Sequence, residues 1–225
     1  MLGWSRHRAL RSCSRQKQRR AADAPAPPAS EACCIVSSQA SQQPAASTAL
    51  AAPELVRLRD GSRVVVRPVR TQDEPALRSF LADLCAQARY LRFFTGAADV
   101  ASAAHLAAAT GPDRYGLLAH DEVGVLVGHA LYVQLDDTRA EVAVEVADHL
   151  HDRGLGTILI ERLASVAEEH GITRFVAEVL PQNRAMLAVF RDGFDARVAM
   201  RDGSDAVEFP TSAWRKARER FPEHR

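Results

Sequence analysis

The amino-acid sequence predicts a three-layer α/β protein built around a sheet of mixed strand direction. The first observation is the predicted order of elements, ββ-ααα-βββ-α-β-α-ββ, in which helices are interspersed among short β-rich runs. The second is a pair of Asp-Gly dipeptides, Asp60-Gly61 and Asp202-Gly203, each between two β-rich runs, as in tight antiparallel hairpins. The third is a hydrophobic share of 47% over 225 residues, which suffices for a folded core.

Residues 1–53 differ in composition from the rest of the chain and are predicted to be disordered. Basic residues precede the first acid, Asp23, and a stretch rich in Ala, Pro, Ser and Gln follows as far as Pro53. Such a segment buries too little apolar surface to offset the entropy lost on ordering. Three interpretations stay open: a disordered tail or wrongly chosen start codon, an organelle transit peptide, and a basic arm that contacts nucleic acid.

The folded domain is predicted to span residues 54–215, followed by a polar tail at 216–225. It begins with the two β-rich runs on either side of Asp60-Gly61. The capping-box sequence from Thr71 to Glu74 then starts a helix that continues to about Cys85, with apolar side chains at three- and four-residue spacing. The next two helices are predicted over 88–94 and 99–109.

The second half of the domain is predicted to contain strands, an amphipathic helix and a final hairpin. Thr157 to His170 has an apolar stripe and a charged face that includes Glu161 and Arg162, so we expect a helix on the protein surface. Gly171 ends this helix. The other predicted strands lie over 114–119, 123–135, 140–147, 172–180, 194–200 and 206–209, with a short helix over 183–191.

The stretch from Ala140 to Gly156 contains the main candidate functional residues. Period-two alternation places Glu141 and Glu145 on one face of the strand and valines on the other. Carboxylates in this arrangement are either solvated or line a cleft in which one of them accepts a proton from an amine.

A glycine loop, Arg153-Gly154-Leu155-Gly156-Thr157, joins this strand to the amphipathic helix. A P-loop needs a lysine next to its last glycine, and a dinucleotide fingerprint needs a third glycine where Leu159 stands, so both motifs are excluded. The backbone N–H groups of such a loop can bind a pyrophosphate at a helix N-terminus. The alternative is an ordinary tight turn in which the glycines only supply unusual backbone angles.

Charge and cysteine content disfavour several classes of function. The formal net charge of +1 gives no reason to expect a nucleic acid or a membrane as partner, and no apolar run approaches the roughly 18–20 residues of a membrane span. The four cysteines lack metal-ligand spacing, and His149 and His151 lack a third ligand, so no metal is expected. Reducing conditions are the default for such cysteines, and we expect a cytoplasmic protein.

The order of these motifs resembles that of the GNAT superfamily of N-acetyltransferases. The loop pattern of that family is Gln/Arg-x-x-Gly-x-Gly/Ala, and here the loop reads His151-Asp152-Arg153-Gly154-Leu155-Gly156. The resemblance covers about Val64 to Phe209. More narrowly, the runs RYLRFF, VGHALYV, ITRFVAEVLPQN and VEFPTS resemble the GNAT domain of bacterial protein lysine acetyltransferases, some of which join this domain to an acyl-CoA synthetase module.

The resemblance implies a mostly antiparallel sheet with helices on both faces, acetyl-CoA as cosubstrate, and a protein lysine or a small amine as acceptor. It also makes acyl-CoA synthetases candidate protein partners. Glu141, ten residues before His151, matches the position of the general base, with Glu145 as the alternative. The residues implied to contact acetyl-CoA are Val144, Val146, His151, Arg153, Gly154, Leu155, Gly156, Thr157, Asn183 and Phe190.

Two of these positions differ from the family pattern. His151 replaces the usual Gln or Arg, and Phe190 stands where many members have a tyrosine that protonates the leaving thiolate. A phenyl ring has no proton to donate, so water is left to protonate the thiolate. Three hypotheses follow: an acetyltransferase acting on protein lysines, one acting on small amines, and a CoA-binding regulatory domain without catalysis.

Overall fold

The computed structural model describes residues 52–95 and 98–220, so the tail predicted for residues 1–53 lies almost wholly outside the described residues. The described chain forms eight strands and six α-helices. The strands are β1 Glu54–Arg57, β2 Arg63–Pro68, β3 Arg114–His120, β4 Leu126–Gln134, β5 Arg139–Val146, β6 Arg174–Val179, β7 Arg197–Arg201 and β8 Ser204–Pro210. The helices are α1 Glu74–Asp83, α2 Ala86–Phe93, α3 Val100–Ala108, α4 Leu155–Glu169, α5 Arg184–Ala188 and α6 Trp214–Arg220.

The eight strands form one sheet in the order β1-β2-β3-β4-β5-β6-β8-β7. Neighbouring strands are antiparallel except β5 and β6, which run parallel. Both predicted hairpins are present, and Gly61 and Gly203 each have the positive φ, 86°, that their turns need. The predicted α/β fold with a mixed, mostly antiparallel sheet is therefore confirmed.

Helices pack against both faces of this sheet, as predicted. On one face, Leu159 of α4 packs in the same core as Leu117 of β3. On the other face, Leu77 of α1 and Ala104 of α3 share a core with Leu118 of β3. Successive strand residues point to opposite faces, so adjacent Leu117 and Leu118 contribute to different cores.

The start of α1 differs from the capping box predicted for Thr71 to Glu74. The pair that forms is one residue earlier: Asp73 accepts a hydrogen bond from the Arg70 N–H, at 2.7 Å. Asp73 also accepts two hydrogen bonds from the Arg67 guanidinium of β2, at 2.8 Å each. The predicted pair was wrong because an arginine from a neighbouring strand, which the local pattern does not include, determines where the acid lies.

Helix α4 is more buried than predicted, because the chain continues past β8 into the helix Trp214–Arg220, which includes the first residues of the polar tail predicted for 216–225. This helix, α6, contacts α4, and its Ala217 is 0% exposed. Glu161 and Arg162, which were expected at the surface, are 1% and 7% exposed and bond to each other at 2.6 Å. Arg162 also donates to both oxygens of Glu54 on β1, at 2.7 and 2.8 Å.

The C-terminal strands leave part of the sheet exposed next to β5. The pairing register aligns Glu178 of β6 with Ala206 of β8 and, beyond it, Ala199 of β7. Glu178 and Ala199 are exposed, and Ala206 is partly exposed. The opposite face of these strands, represented by Phe175 and Phe209, is buried in the core with α4.

Candidate active site

The sheet opens at its centre, where the parallel strands β5 and β6 diverge. These strands pair only along Arg139–Glu141 and Arg174–Val176, so within the described residues the rest of β5 has no strand beside it on that side. The gap is a cleft with a volume of about 490 Å³, lined by residues of β5, β6, α2, α5 and the start of α4. Every candidate site residue from the sequence lines this cleft except Arg153.

Val144 and Val146 direct their backbone groups into the cleft. The N–H of Ala147 bonds to the Val127 carbonyl beside β4, at 2.8 Å. Backbone groups of successive strand residues point to opposite sides, so those of Val144 and Val146 face away from β4 and towards the gap. An extended ligand could bond to them as an added strand would.

The loop before α4 presents free backbone N–H groups at one end of the cleft. Gly154 has a left-handed φ of 88°, and no side chain among the described residues caps the helix. The first N–H that bonds within the helix is that of Ile158, to the Gly154 carbonyl at 3.1 Å. The N–H groups of Leu155, Gly156 and Thr157 therefore have no intrahelical partner, and together with the helix dipole they favour an anion.

Arg153 anchors this loop instead of lining the cleft. Its guanidinium pairs with Asp60 in the β1–β2 hairpin. Its carbonyl accepts a hydrogen bond from the Arg59 N–H, at 3.0 Å. These two contacts fix the entry to α4 and hold the Arg153 guanidinium against the β1–β2 hairpin.

Asn183 and Phe190 line the far side of the cleft. The Asn183 side-chain oxygen caps α5 by accepting the Met186 N–H at 3.1 Å. Phe190 lies in a π-helical turn, Val189–Gly193, and is 2% exposed, with its ring centre 5.3 Å from that of Phe209. The Phe190 ring therefore contributes an apolar wall and no proton donor.

His151 bonds to the strand that lines the cleft. Its Nε2–H donates to the Val146 carbonyl at 3.1 Å. That carbonyl is one of the backbone groups that face the gap, so a ligand that pairs with Val146 has to share or displace the His151 ring. The replacement of Gln or Arg by His thus has a structural effect on the edge of β5.

Glu141 lies where β5 and β6 begin to diverge. Burial, and after it the carboxylate of Glu178, raise the pKa of Glu141 to about 7, while the positive charge of Arg92 acts in the opposite direction. A general base works best when its pKa is close to the pH of the reaction. Glu141 thus lines the cleft and has a pKa near neutral pH.

Glu145, the alternative base, is held in a buried network. It is 6% exposed, and one of its carboxylate oxygens accepts a hydrogen bond from the Arg92 guanidinium. The other accepts from Nδ1 of His129, at 2.9 Å. With both oxygens bonded to protein side chains, Glu145 is less suited than Glu141 to take a proton from an acceptor.

The sequence patterns did not predict the charged cleft residues Arg59, Arg92, Glu178 and Asp192, of which Arg92 and Glu178 act on Glu141. Arg92 belongs to RYLRFF and Glu178 to ITRFVAEVLPQN, so membership of these motifs was the available signal. Alternation along β6 puts Glu178 on the same face as Val176, the partner of Glu141, but this follows only once the strand pairing is known.

Residues 52–95 and 98–220 contain neither a candidate metal site nor a candidate membrane-spanning helix. No three His, Cys, Asp or Glu side chains in these ranges are grouped so that they could hold a metal ion. None of the helices in the same ranges combines the length and the apolar character that a bilayer span requires.

Comparisons with known proteins agree with this geometry. A sequence model of the acetyltransferase (GNAT) family matches residues 83–194. An acetyltransferase of Pseudomonas aeruginosa is 31% identical over 137 residues, which cover 57% of this chain and 73% of that protein. The crystal structure of the GNAT domain of S. lividans PAT is 34% identical, with a TM-score of 0.64 over 70% of this chain and 96% of that chain.

A more distant structure shares the fold alone. A cAMP-binding acyltransferase from Mycobacterium smegmatis is 22% identical, with a TM-score of 0.52 over 76% of this chain and 54% of that chain. The chain thus spans about half of that protein. The family match, the two relatives above 30% identity and the divergent β5 and β6 agree with one another. The chain belongs to the GNAT family of acetyltransferases, which transfer an acyl group from a CoA thioester to an amine.

Proposed function

We propose that this GNAT enzyme transfers the acetyl group of acetyl-CoA to the side-chain amine of protein lysines, with Glu141 as general base. The observation that carries the proposal is the meeting of three features in one cleft. These are the free edge of β5, the uncapped start of α4, and a carboxylate whose pKa lies at about 7. Each feature suits one part of an acyl transfer between two substrates.

The residues of the cleft fit a CoA thioester. The N–H groups of Leu155, Gly156 and Thr157 would hold its pyrophosphate. Val144 and Val146 would hold the pantetheine arm as an added strand. The bound thioester supplies an activated carbonyl, which a strand N–H facing the gap would polarise.

Glu141 would remove the proton that makes a lysine amine unreactive. A lysine has a pKa of about 10.4, so its amine is charged near neutral pH. Glu141, with its pKa at about 7, is largely ionised at slightly alkaline pH and can accept this proton directly or through water. Phe190 cannot protonate the leaving thiolate, and a thiol pKa of about 8.5 allows solvent to do so.

A protein is proposed as the acceptor for two reasons. The runs RYLRFF, VGHALYV, ITRFVAEVLPQN and VEFPTS resemble those of bacterial protein lysine acetyltransferases. In addition, Glu178 and the exposed face of β6, β8 and β7 adjoin the cleft, so a large partner can reach it. Acyl-CoA synthetases are the first partners to test. The second candidate function, CoA binding without catalysis, is favoured by the apolar Phe190.

We also propose that the reaction takes place in the cytoplasm. Cys85 is a free cysteine and is exposed. An exposed free thiol suits a reducing compartment. Cell fractionation with antibody detection of the full chain tests this location.

The test of the proposed function is a thiol-release assay with the full-length chain, acetyl-CoA and a panel of acceptors. The panel contains purified acyl-CoA synthetases, lysine peptides and small amines. We expect turnover on protein or peptide lysines, with the acetylated lysine identified by mass spectrometry. Turnover on small amines alone would contradict the acceptor class. Tight acetyl-CoA binding without turnover on any acceptor would leave the regulatory domain as the function.

A further inference from the structure

Arg92, Glu145 and His129 form a buried chain of hydrogen bonds at the floor of the cleft. The Arg92 guanidinium donates to one oxygen of Glu145, and His129 Nδ1–H donates to the other at 2.9 Å. Their side chains are 12%, 3% and 0% exposed, in that order. Because the three residues come from α2, β5 and β4, these hydrogen bonds join a helix that lines the cleft to two strands of the sheet.

Arg92 is the only charged partner of Glu145 in this hydrogen-bonded network near neutral pH. Burial, and after it the charge of Arg92, lower the pKa of His129 to about 3, so its ring is neutral. Burial lowers the pKa of Arg92 to about 10, which leaves the guanidinium charged. A buried ion pair usually adds little stability over an apolar pair of similar shape. Stability alone therefore does not explain a buried arginine at position 92.

Arg92 also acts electrostatically on Glu141. Arg92 lines the cleft from α2 and favours the ionised form of Glu141, whereas Glu178 lines it from β6 and favours the protonated form. Glu145, on the same strand as Glu141, is already paired. The remaining titratable or charged residues that line the cleft are Arg59, His151, Asp152 and Asp192.

We propose that Arg92 is a positioning residue, which Glu145 and His129 anchor so that α2 is fixed over β5 and a positive charge stays beside Glu141. The inference rests on the proposed function, in which Glu141 is the base. It also gives a role to two motifs that the acyl-transfer chemistry does not use. Arg92 lies in RYLRFF and His129 in VGHALYV, and both side chains meet at Glu145.

The test measures Glu141 in the full-length protein without its substrates. A ¹³C NMR titration follows the glutamate carboxyl carbons, and the Glu141 signal is assigned by its loss in Glu141→Gln. Arg92→Met should move the Glu141 midpoint upward by about 1 pH unit, because it removes a favourable positive charge. Arg92→Lys keeps the positive charge, so its Glu141 midpoint should stay close to that of the unmodified protein.

Two further variants control for general damage. Arg67→Met removes another partly buried arginine–carboxylate pair, with Asp73, and should leave the Glu141 midpoint unchanged. The double variant Arg92→Met with Glu145→Gln leaves no unpaired buried ion, so it should fold and show an upward shift that is smaller than in Arg92→Met, because the Glu145 charge is removed too.

The two proposals fail in distinguishable ways. An unmoved Glu141 midpoint in a folded Arg92→Met or double variant would overturn the role of Arg92. If the Glu141 midpoint moves in Arg92→Met but Glu141→Gln turns over as fast as the unmodified protein, the role of Arg92 stands and the proposed general base is wrong. The acidic limb of the pH profile of kcat/KM, on which activity rises with pH, should move with the NMR midpoint when both proposals are right.

Discussion

The carboxylate of Glu178 on β6 raises the pKa of Glu141 on the neighbouring strand β5, and both side chains line the cleft between these strands. The register explains this relationship. Glu141 pairs with Val176, and Glu178 lies two residues further along β6 on the same face. Two like charges at the point where the strands part give the mouth of the cleft an acidic character, which attracts a cationic acceptor.

Glu178→Gln should shift the pH dependence of acyl transfer towards lower pH. Removal of the Glu178 charge lowers the pKa of Glu141 from its value of about 7, so the ionised base is present at lower pH. The pH profile of kcat/KM measures this shift, which we expect to be about 1 pH unit or less. Glu208→Gln is the matched control, because Glu208 lies on β8 and pairs with Arg174. A shift towards higher pH would contradict the assignment.

Glu141→Gln should lower kcat by about 10²- to 10⁴-fold, the usual contribution of a general base. The binding of acetyl-CoA should stay within about twofold, because Glu141 lies away from the α4 N-terminus that we propose for the pyrophosphate. The rise of activity around pH 7 should also disappear, because it reports deprotonation of Glu141. Calorimetry and thiol release measure the two effects. An unchanged rate and pH profile would assign proton removal to another group.

Gly154→Ala should weaken acetyl-CoA binding by about tenfold, or about 1.4 kcal/mol. Gly154 has a φ of 88°, a conformation that costs an alanine about 1–2 kcal/mol. Relief of this strain would turn the first N–H groups of α4 away from the ligand. Gly124→Ala is the matched control, since Gly124 has nearly the same left-handed φ, 87°, but lies in the turn between β3 and β4, outside the residues that line the cleft. Equal affinities of the two variants in calorimetry would contradict the role of the loop.

Arg162→Met should destabilise the fold by about 3–5 kcal/mol, because it leaves the buried carboxylate of Glu161 poorly paired. Arg174→Met, which removes an exposed pair with Glu208, should cost about 1 kcal/mol or less. Denaturant unfolding measures both losses. Similar losses in the two variants would contradict the importance of burial.

The loss in Arg162→Met should also depend on pH. Burial raises the pKa of Glu161 above its ordinary value, so protonation favours the folded state. A favourable contribution of this kind is present below the unfolded-state pKa and is lost as pH rises through the folded-state pKa. The destabilisation of Arg162→Met should therefore shrink as the pH falls towards about 5. A larger loss at the lower pH would show that another group dominates.

Local sequence signals predicted the elements whose cause is local. The Asp-Gly hairpins, the helix that follows the glycine loop and the alternation in β5 depend on residues a few positions apart. The burial of Glu161 and Arg162 was not predictable in this way. It depends on α6 packing against α4 and on Glu54, which is 108 residues from Arg162 in the sequence.

The same distinction applies to the candidate site. The glycine loop and Glu141 could be named from spacing and family resemblance, because those residues lie within one continuous stretch. The two hydrogen bonds that hold Glu145 could not be predicted from the sequence, since its partners Arg92 and His129 lie 53 and 16 residues away. Period two predicted which face Glu145 occupies but not which charges from α2 and β4 meet it there.

The divergence of β5 and β6 places an unpaired strand edge in the interior of an eight-stranded sheet. Within the sheet, a pairing of three residues on each strand joins the β1–β5 half to the β6–β8 half. A ligand bound along β5 would supply the missing hydrogen bonds, and a ligand that binds only the folded state stabilises it in proportion to the logarithm of its concentration. The lifetime of this enzyme in a cell should thus follow the supply of its own cosubstrate, and hydrogen exchange at the N–H groups of Val144 and Val146 should respond first when that supply falls.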